Sequence, residues 1–507
     1  MFEKCLKLGN KNIKIICNHN PYFQNENTII FGFPFNIEKR PILKEELNQA
    51  KGYFLQININ NNAIEITNDI AGLYRFYYLE TNNTLYFSNN FMTLFNILPK
   101  EQRTFDNFEY EFWDKHRYTT GGNTVCNKIK KIKPAHIYKF TDTGIIENLY
   151  YKDFENKPNR KKHFDEVLAD LRDTVSIIKK MPQKKFLLFS GGVDSTLLVK
   201  MLQEQNVDFI PIFGKQVPTN SMNYEDELKI KYSAKLLGIK PIEIEVDISE
   251  ELDSKIIDIM FLDRSITQLF FKIAEKLKKQ YGNDIILLNG QSSDSIFNFG
   301  ATEKGGFPFI QRMLLFNPIL FLNILLFKII QLCRSKYNKY RVAKNIKEYY
   351  IAFFDEKAYL PVIDKTKNEQ YYDNIKKIIN NIRSFIKNKY AYLMYLKIYG
   401  FMQGSDDYVN VQNCEFNEIK SIFLFATPQI IYSTIKNTDY IYEILHPKSV
   451  TYKILKKVFN YKIPNIKKEK NYKKNWNTKE RYTDYEQKVY LNFYKKMNSL
   501  EFVNKDN

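Results

Sequence analysis

Cysteine is scarce in this chain, with five residues in 507: Cys5, Cys17, Cys126, Cys333 and Cys414. They lie far apart and form no Cys-x-x-Cys pair, which argues against a disulfide framework or a zinc site and points to a reducing compartment. Histidine is equally thin, and His19, His116, His136, His163 and His446 show no metal-ligand spacing. The opening residues, MFEKCLKLGN, lack the apolar core of a secretory signal, so a cytoplasmic location is expected. Long apolar runs are missing too. The most hydrophobic stretch, 307–330, is interrupted by Gln311, Arg312, Asn317, Pro318, Asn323 and Lys328. A spanning helix needs about 20 predominantly apolar residues. A buried or partner-facing helix pair broken near Pro318 is expected there, with peripheral membrane attachment as the alternative.

What is present is ample for folded cores: 44% apolar residues, of which aromatics make up a large part at 15% of the chain. At this length two or three domains are expected. The net charge is +19, and residues 448–507 hold 16 Lys/Arg against 6 Asp/Glu, about half of that excess. Such a tail suits nucleic acid, an anionic membrane or an acidic substrate. The plainer reading is a Lys-rich, Asn-rich habit of solvated faces, and nucleic acid is not the expected partner.

Residues 1–155 carry short alternating runs, such as Tyr53–Ile59 and Thr84–Phe87, separated by Asn-rich turns, and read as β-rich. From 156 to 445 strands alternate with helices. Strands are expected at 186–189, 209–213, 242–246 and 285–288, with helices over 163–180, 226–237 and 266–280. That alternation implies a parallel sheet covered on both faces. Beyond 307 the chain reads as mainly helical, and 446–507 forms a basic helical extension.

The most informative stretch runs from Phe186 to Val199, FLLFSGGVDSTLLV. An apolar strand ends in Ser190, Gly191 and Gly192, and a helix begins near Ser195. Adjacent glycines allow a sharp turn and close approach to a ligand. A helix start favours an anion, and Ser190, Ser195 and Thr196 add hydroxyls. Asp194 would repel a bare phosphate, so it is suited to a bridging divalent cation. No Gly-Lys-Ser/Thr follows the glycines, which excludes the Walker loop. The segment resembles the SGGxDS loop of the ATP pyrophosphatases, which cleave ATP to AMP and pyrophosphate.

A second segment, Asn289-Gly-Gln-Ser-Ser-Asp-Ser-Ile-Phe297, resembles the Gly-x-Gly-x-Asp-Glu-x-Phe signature of the asparagine synthetase family. Asn68–Tyr78 with Leu85–Ser88 is similar to the hairpin of that family's glutaminase domain, and Ile129–His136 to the segment closing it. Tyr224-Glu-Asp-Glu and Ala234–Gly238 match the helix after the second strand. The resemblance implies an α+β, Ntn-type glutaminase-like domain over 1–155. It further implies an α/β PP-loop domain of the adenine nucleotide alpha hydrolase type, with a parallel sheet and a helical C-terminal part. It implies ATP bound by Ser190, Gly191, Gly192, Asp194, Ser195, Thr196, Gly290 and Asp294, with Mg2+ held by Asp194 and Asp294.

Three departures bear on activity. The family's glutaminase nucleophile is an N-terminal cysteine, whereas residue 2 is Phe2 and Cys5 comes three residues later. Glutamine hydrolysis is therefore not expected, as in the β-lactam synthetases and lasso-peptide cyclases. Ser292 replaces a glycine, and Ser295 replaces the usual Glu of the second signature. Gln291 stands where asparagine synthetases carry Glu, and an amide can orient a substrate but cannot take a proton. The family's late lysine aligns with Tyr452, which leaves the neighbouring Lys453 as the catalytic candidate beside Gln291. The expected function is an ATP-dependent ligase, forming AMP and pyrophosphate, that activates a small-molecule or peptide carboxylate for attack by ammonia or an amine. The alternatives are a degenerate, non-catalytic ATP-binding protein and a PP-loop enzyme that modifies nucleic acid.

Overall fold

The computed structural model describes residues 1–116, 118–150, 157–217, 221–247, 254–262, 268–297, 327–328, 331–332, 338–355, 362–384, 386, 388, 391–392, 395–396, 406–439, 442–443, 446–463 and 491–503. Most of the apolar stretch 307–330, and residues 464–490 of the basic tail, lie outside them. Among the described residues no helix is long and apolar enough to cross a membrane.

The first 150 residues build two antiparallel-rich sheets. Strands β1 (Phe2–Leu8), β2 (Lys11–Cys17), β3 (Phe23–Gln24), β4 (Thr28–Pro34), β5 (Gly52–Asn60), β6 (Ala63–Asn68), β7 (Tyr77–Glu80), β8 (Thr84–Ser88), β9 (Ile129–Lys131), β10 (His136–Phe140) and β11 (Ile145–Leu149) follow in order. One sheet runs β1-β2-β8-β7-β9 and the other β11-β10-β6-β5-β4-β3. Alternation puts Ile13 and Ile15 of β2 and Phe87 of β8 on one inner face, opposite Phe31, Leu55 and Phe140 on the other. Phe87 meets Phe140 edge-on at 5.0 Å. Phe2 packs its ring on Phe31, while Cys5 is exposed in the middle of β1, opposite Lys14.

The second unit holds a five-stranded parallel sheet of β12 (Lys184–Leu188), β13 (Ile210–Val217), β14 (Ile242–Asp247), β15 (Ile285–Asn289) and β18 (Lys420–Phe423). The hairpin β16 (Tyr340–Val342) and β17 (Val362–Asp364) lies between β15 and β18 in sequence. The spatial order is β14-β13-β12-β15-β18. The chain winds outward one way from β12, then crosses to β15 on its other side. The β12/β15 boundary is thus the topological switch point, where open α/β sheets bind ligands at their carboxyl ends.

The units are joined by buried polar contacts. Lys51, 2% exposed, pairs with Asp170 and Asp173, each at 2.7 Å, on the helix Arg160–Lys180. Tyr53 donates to Glu415 at 2.7 Å. Residues 446–463 pack on the parallel-sheet unit through the helix Ser449–Lys457. Phe493 and Met497 bury themselves beside Leu94, Trp113 and Met260. The 446–507 stretch is therefore woven into the body at both of its described ends.

Candidate active site

Two loops meet at the switch point. After β12 the chain passes Phe189 and Ser190, turns at Gly191 and Gly192, and enters the helix Val193–Glu204. Gly191 has φ +65°, and a β-carbon there would stand 2.9 Å from the Lys229 carbonyl oxygen. Both its left-handed backbone and its lack of a side chain are therefore required. Gly191→Ala is expected to cost at least about 1–2 kcal/mol, read as a lower denaturant midpoint. The helix start has no side-chain cap, which leaves its first amides open toward the loop. Ser195 is buried and ties the loop internally: its hydroxyl accepts from the Ser190 amide at 3.3 Å and donates to the Gly192 carbonyl at 3.2 Å. Thr196 is also buried, with its amide on the Gly192 carbonyl at 3.0 Å. Of the three hydroxyls in the motif, that of Ser190 is the exposed one.

After β15 comes Gly290, where a β-carbon would touch Leu198 at 3.4 Å and approach the Ser195 amide at 3.7 Å. The second loop therefore lies directly against the first. Gln291 follows, half-buried, its backbone N–H donating to the Asn289 side-chain oxygen at 2.8 Å. Ser292 takes φ +70°, although it stands where the family signature has glycine. That backbone presents Ser293, whose hydroxyl donates to Asp194 Oδ1 at 2.6 Å, and Asp294 one residue on. Ala135 shows the same substitution in the N-terminal unit: φ is +56° where the family's Pro-Gly-His has glycine.

Asp194 and Asp294, from the two loops, converge on one ammonium, and it belongs to Lys448. Nζ lies 2.6 Å from Asp194 Oδ2 and 2.8 Å from Asp294 Oδ1. Burial pushes the Asp194 carboxyl above its ordinary pKa, against the pull of Lys448 and Ser293. The same burial disfavours the Lys448 charge, yet the two carboxylates outweigh it and hold its pKa above the ordinary value. Asp294 is more open, its side chain 66% exposed.

Lys453 sits elsewhere. Its ammonium lies 4.8 Å over the Tyr442 ring, and it lines a groove of about 440 Å³ with Arg160, Lys161, Phe164 and Lys457. Lys448 precedes the helix Ser449–Lys457 and meets the two acids, whereas Lys453 lies within that helix and meets Tyr442, so the structure does not bring the two lysines to one site. Tyr452, at the aligned position of the family lysine, is 50% exposed. Lys448 stands immediately before the segment matched to the family's late lysine, outside the aligned residues. A second cation that sequence reasoning missed is Lys229, whose ammonium lies 3.6 Å from where a Gly192 β-carbon would stand.

The donors suit a hard divalent cation. Two carboxylate oxygens from different loops already converge on one positive centre, and magnesium is commonly held by one or two carboxylates plus phosphate oxygens. Among the described residues no group of three or more His, Cys, Asp or Glu side chains could hold a metal unaided. Phosphate oxygens would have to complete the shell.

Comparison with known proteins bears on the same segment. The family model for asparagine synthase matches residues 167–347, while β18 and Lys448 lie beyond that match. No curated protein matches. Similar solved structures include an NAD+ synthetase from Burkholderia pseudomallei, at 12% identity over 29% of this chain and 60% of that one, with a TM-score of 0.18. A U34-tRNA thiolase from Methanococcus maripaludis aligns at 14% identity over 47% of this chain and 77% of the other, with a TM-score of 0.21. A glutamine phosphoribosylpyrophosphate amidotransferase from B. subtilis aligns at 8% identity over 52% and 49%, with a TM-score of 0.14. This chain thus spans less than two thirds of the NAD+ synthetase, and these TM-scores are too low to carry an argument about function. The family match covers both loops of the switch point: residues 167–347 match the asparagine synthase model.

Proposed function

We propose that the protein is an ATP-dependent ligase that makes a carbon–nitrogen bond, releasing pyrophosphate and AMP, without hydrolysing glutamine. The observation that carries this reading is the convergence of Asp194, Asp294 and Lys448 beside an uncapped helix start at the sheet's switch point. The open amides of the Val193–Glu204 helix and the Ser190 hydroxyl would cradle phosphate oxygens. Asp194 and Asp294 would hold Mg2+, which supplies charge neutralisation on the phosphates when bound. Lys448 and Lys229 add positive charge where negative charge gathers on the departing pyrophosphate.

In the first step a substrate carboxylate oxygen attacks the α-phosphorus, and the bond to the β-phosphate oxygen breaks. An amine then attacks the acyl carbon, the bond to AMP breaks, and one proton leaves the new nitrogen. Gln291, on the second loop, is suited to orient the acyl group but not to accept that proton. The amine would therefore arrive neutral, and the proton shed as the amide forms would pass to the departing AMP phosphate, to water or to another base. In the N-terminal unit the thiol of Cys5 is exposed on an edge strand, within the chain rather than beside a free amine. Asp69 spends its carboxylate on backbone amides, accepting from Ala71, Leu73 and Tyr74 on its own loop and from Phe54 on β5.

The test is product analysis. With ATP, Mg2+, a panel of carboxylates and ammonia or small amines, AMP and pyrophosphate should form in equal amounts, and ADP should not. Glutamine should yield no glutamate. ADP as the product, or no carboxylate-dependent pyrophosphate exchange across the panel, would count against the proposal.

A further inference from the structure

One ammonium already fills the gap between the two carboxylates assigned above to magnesium. Lys448 Nζ is within hydrogen-bond distance of both, at 2.6 and 2.8 Å, so a second cation approaching those oxygens meets a like charge between them while it stays. The lysine is held firmly. Its side chain is 13% exposed, and its amide donates at 3.0 Å to the carbonyl of Phe297, the end of the short helix that carries Asp294. Its backbone has φ +59°, at the entry to the helix Ser449–Lys457.

We propose that Lys448 makes metal binding conditional on nucleotide. In the resting protein Asp194 and Asp294 close on the ammonium, and free Mg2+ is repelled. A triphosphate draws the ammonium onto its own oxygens and releases both carboxylates to the metal. The four-carbon stem of lysine permits that swing without backbone motion. A divalent ion arriving alone meets carboxylates whose charge is half neutralised and a like charge a few ångströms away. Arriving with the nucleotide, it meets two carboxylates no longer held by the ammonium and added phosphate oxygens. Metal-first binding is thereby suppressed, and an idle site stays clear of adventitious cations. The idea rests on the ATP-pyrophosphatase reading above.

Mn2+ serves as the probe, with free ion quantified by electron paramagnetic resonance on the full-length protein. Titrations are run with and without a non-hydrolysable α,β-methylene ATP analogue. Wild type should bind Mn2+ weakly alone and at least tenfold more tightly with the analogue. Lys448→Met should bind Mn2+ at least tenfold more tightly than wild type without nucleotide, whereas Lys448→Arg should behave as wild type. Lys448→Gln gives the same comparison if the methionine variant does not fold. Equal nucleotide-free affinity in wild type and the neutral variants overturns the conditional mechanism, and the ATP-site reading survives if the analogue still tightens Mn2+. Failure of the analogue to tighten Mn2+ in any form overturns both.

Discussion

Asp194→Asn is expected to lower ATP–pyrophosphate exchange by at least about a thousandfold, equivalent to about 4 kcal/mol of transition-state stabilisation. The substitution is nearly isosteric, so the loss would be one of charge. Asp194 is the shared member of the site: one oxygen takes the Ser293 hydroxyl and the other takes Lys448. Losing it removes one of the two carboxylates proposed to hold the metal and leaves Lys448 paired to the open Asp294 alone. Removing a fixed charge aimed at a reacting phosphate typically costs several kcal/mol. Ser293→Ala removes only one neutral donor and should cost far less, roughly 1 kcal/mol. Asp194 is buried against its preference, so the Asn variant should unfold at nearly the wild-type denaturant concentration. Exchange rates and unfolding midpoints together separate a chemical loss from a folding loss. Near-normal exchange by a folded Asp194→Asn protein would refute the assignment.

Asp355→Ala carries the largest expected effect on stability, about 3–5 kcal/mol. The carboxylate is fully buried at the end of the helix Ile346–Asp355. It accepts from Lys115 at 2.8 Å, His116 Nε2 at 3.0 Å and the Tyr371 hydroxyl at 2.7 Å. Those partners lie on helices of both units, Asn107–His116 and Glu369–Arg383. A negative charge at a helix C-terminus is unfavourable by itself, so the two basic partners hold it there. Burial would raise its pKa, yet bonding to His116 and the charge of Lys115 prevail and hold it down at about 2. The depressed value fixes the sign. The contribution is fully present above the unfolded carboxyl's pKa of about 4 and is lost as pH falls from there toward 2, by roughly 2 kcal/mol. Urea midpoints at pH 7 and pH 3 provide the check, because the variant should lose much of the wild type's decline between them.

The parallel sheet was legible because its strands combine apolar runs with intervening helical periodicity. The expected 186–189, 209–213, 242–246 and 285–288 appear as Lys184–Leu188, Ile210–Val217, Ile242–Asp247 and Ile285–Asn289. The fifth strand, Lys420–Phe423, went unread because four residues after a helix carry too little pattern. The two site loops announced themselves through glycines and acids at fixed spacing. Lys448 did not, because an ion pair spanning more than 250 residues leaves no local periodicity. Lys453 attracted attention only through adjacency to an aligned position, and the helical turn carries it to the groove beside Tyr442. Ser292 and Ala135 show the converse. The backbone conformation that glycine would have signalled is kept by residues that do not signal it.

The ion triad also has a bearing on synthesis. A ribosome releases Asp194 and Asp294 well before Lys448, which follows the second acid by about 150 residues, roughly ten to thirty seconds at ordinary elongation rates. Through that interval the nascent β12–β15 sheet can form, but its two acidic loops face each other with no ammonium between them. Their mutual repulsion opposes closure until the late helix docks. The junction of the two loops is thus completed late in synthesis, and a chain cut short before Lys448 would retain the signature loops without the charge that draws them together.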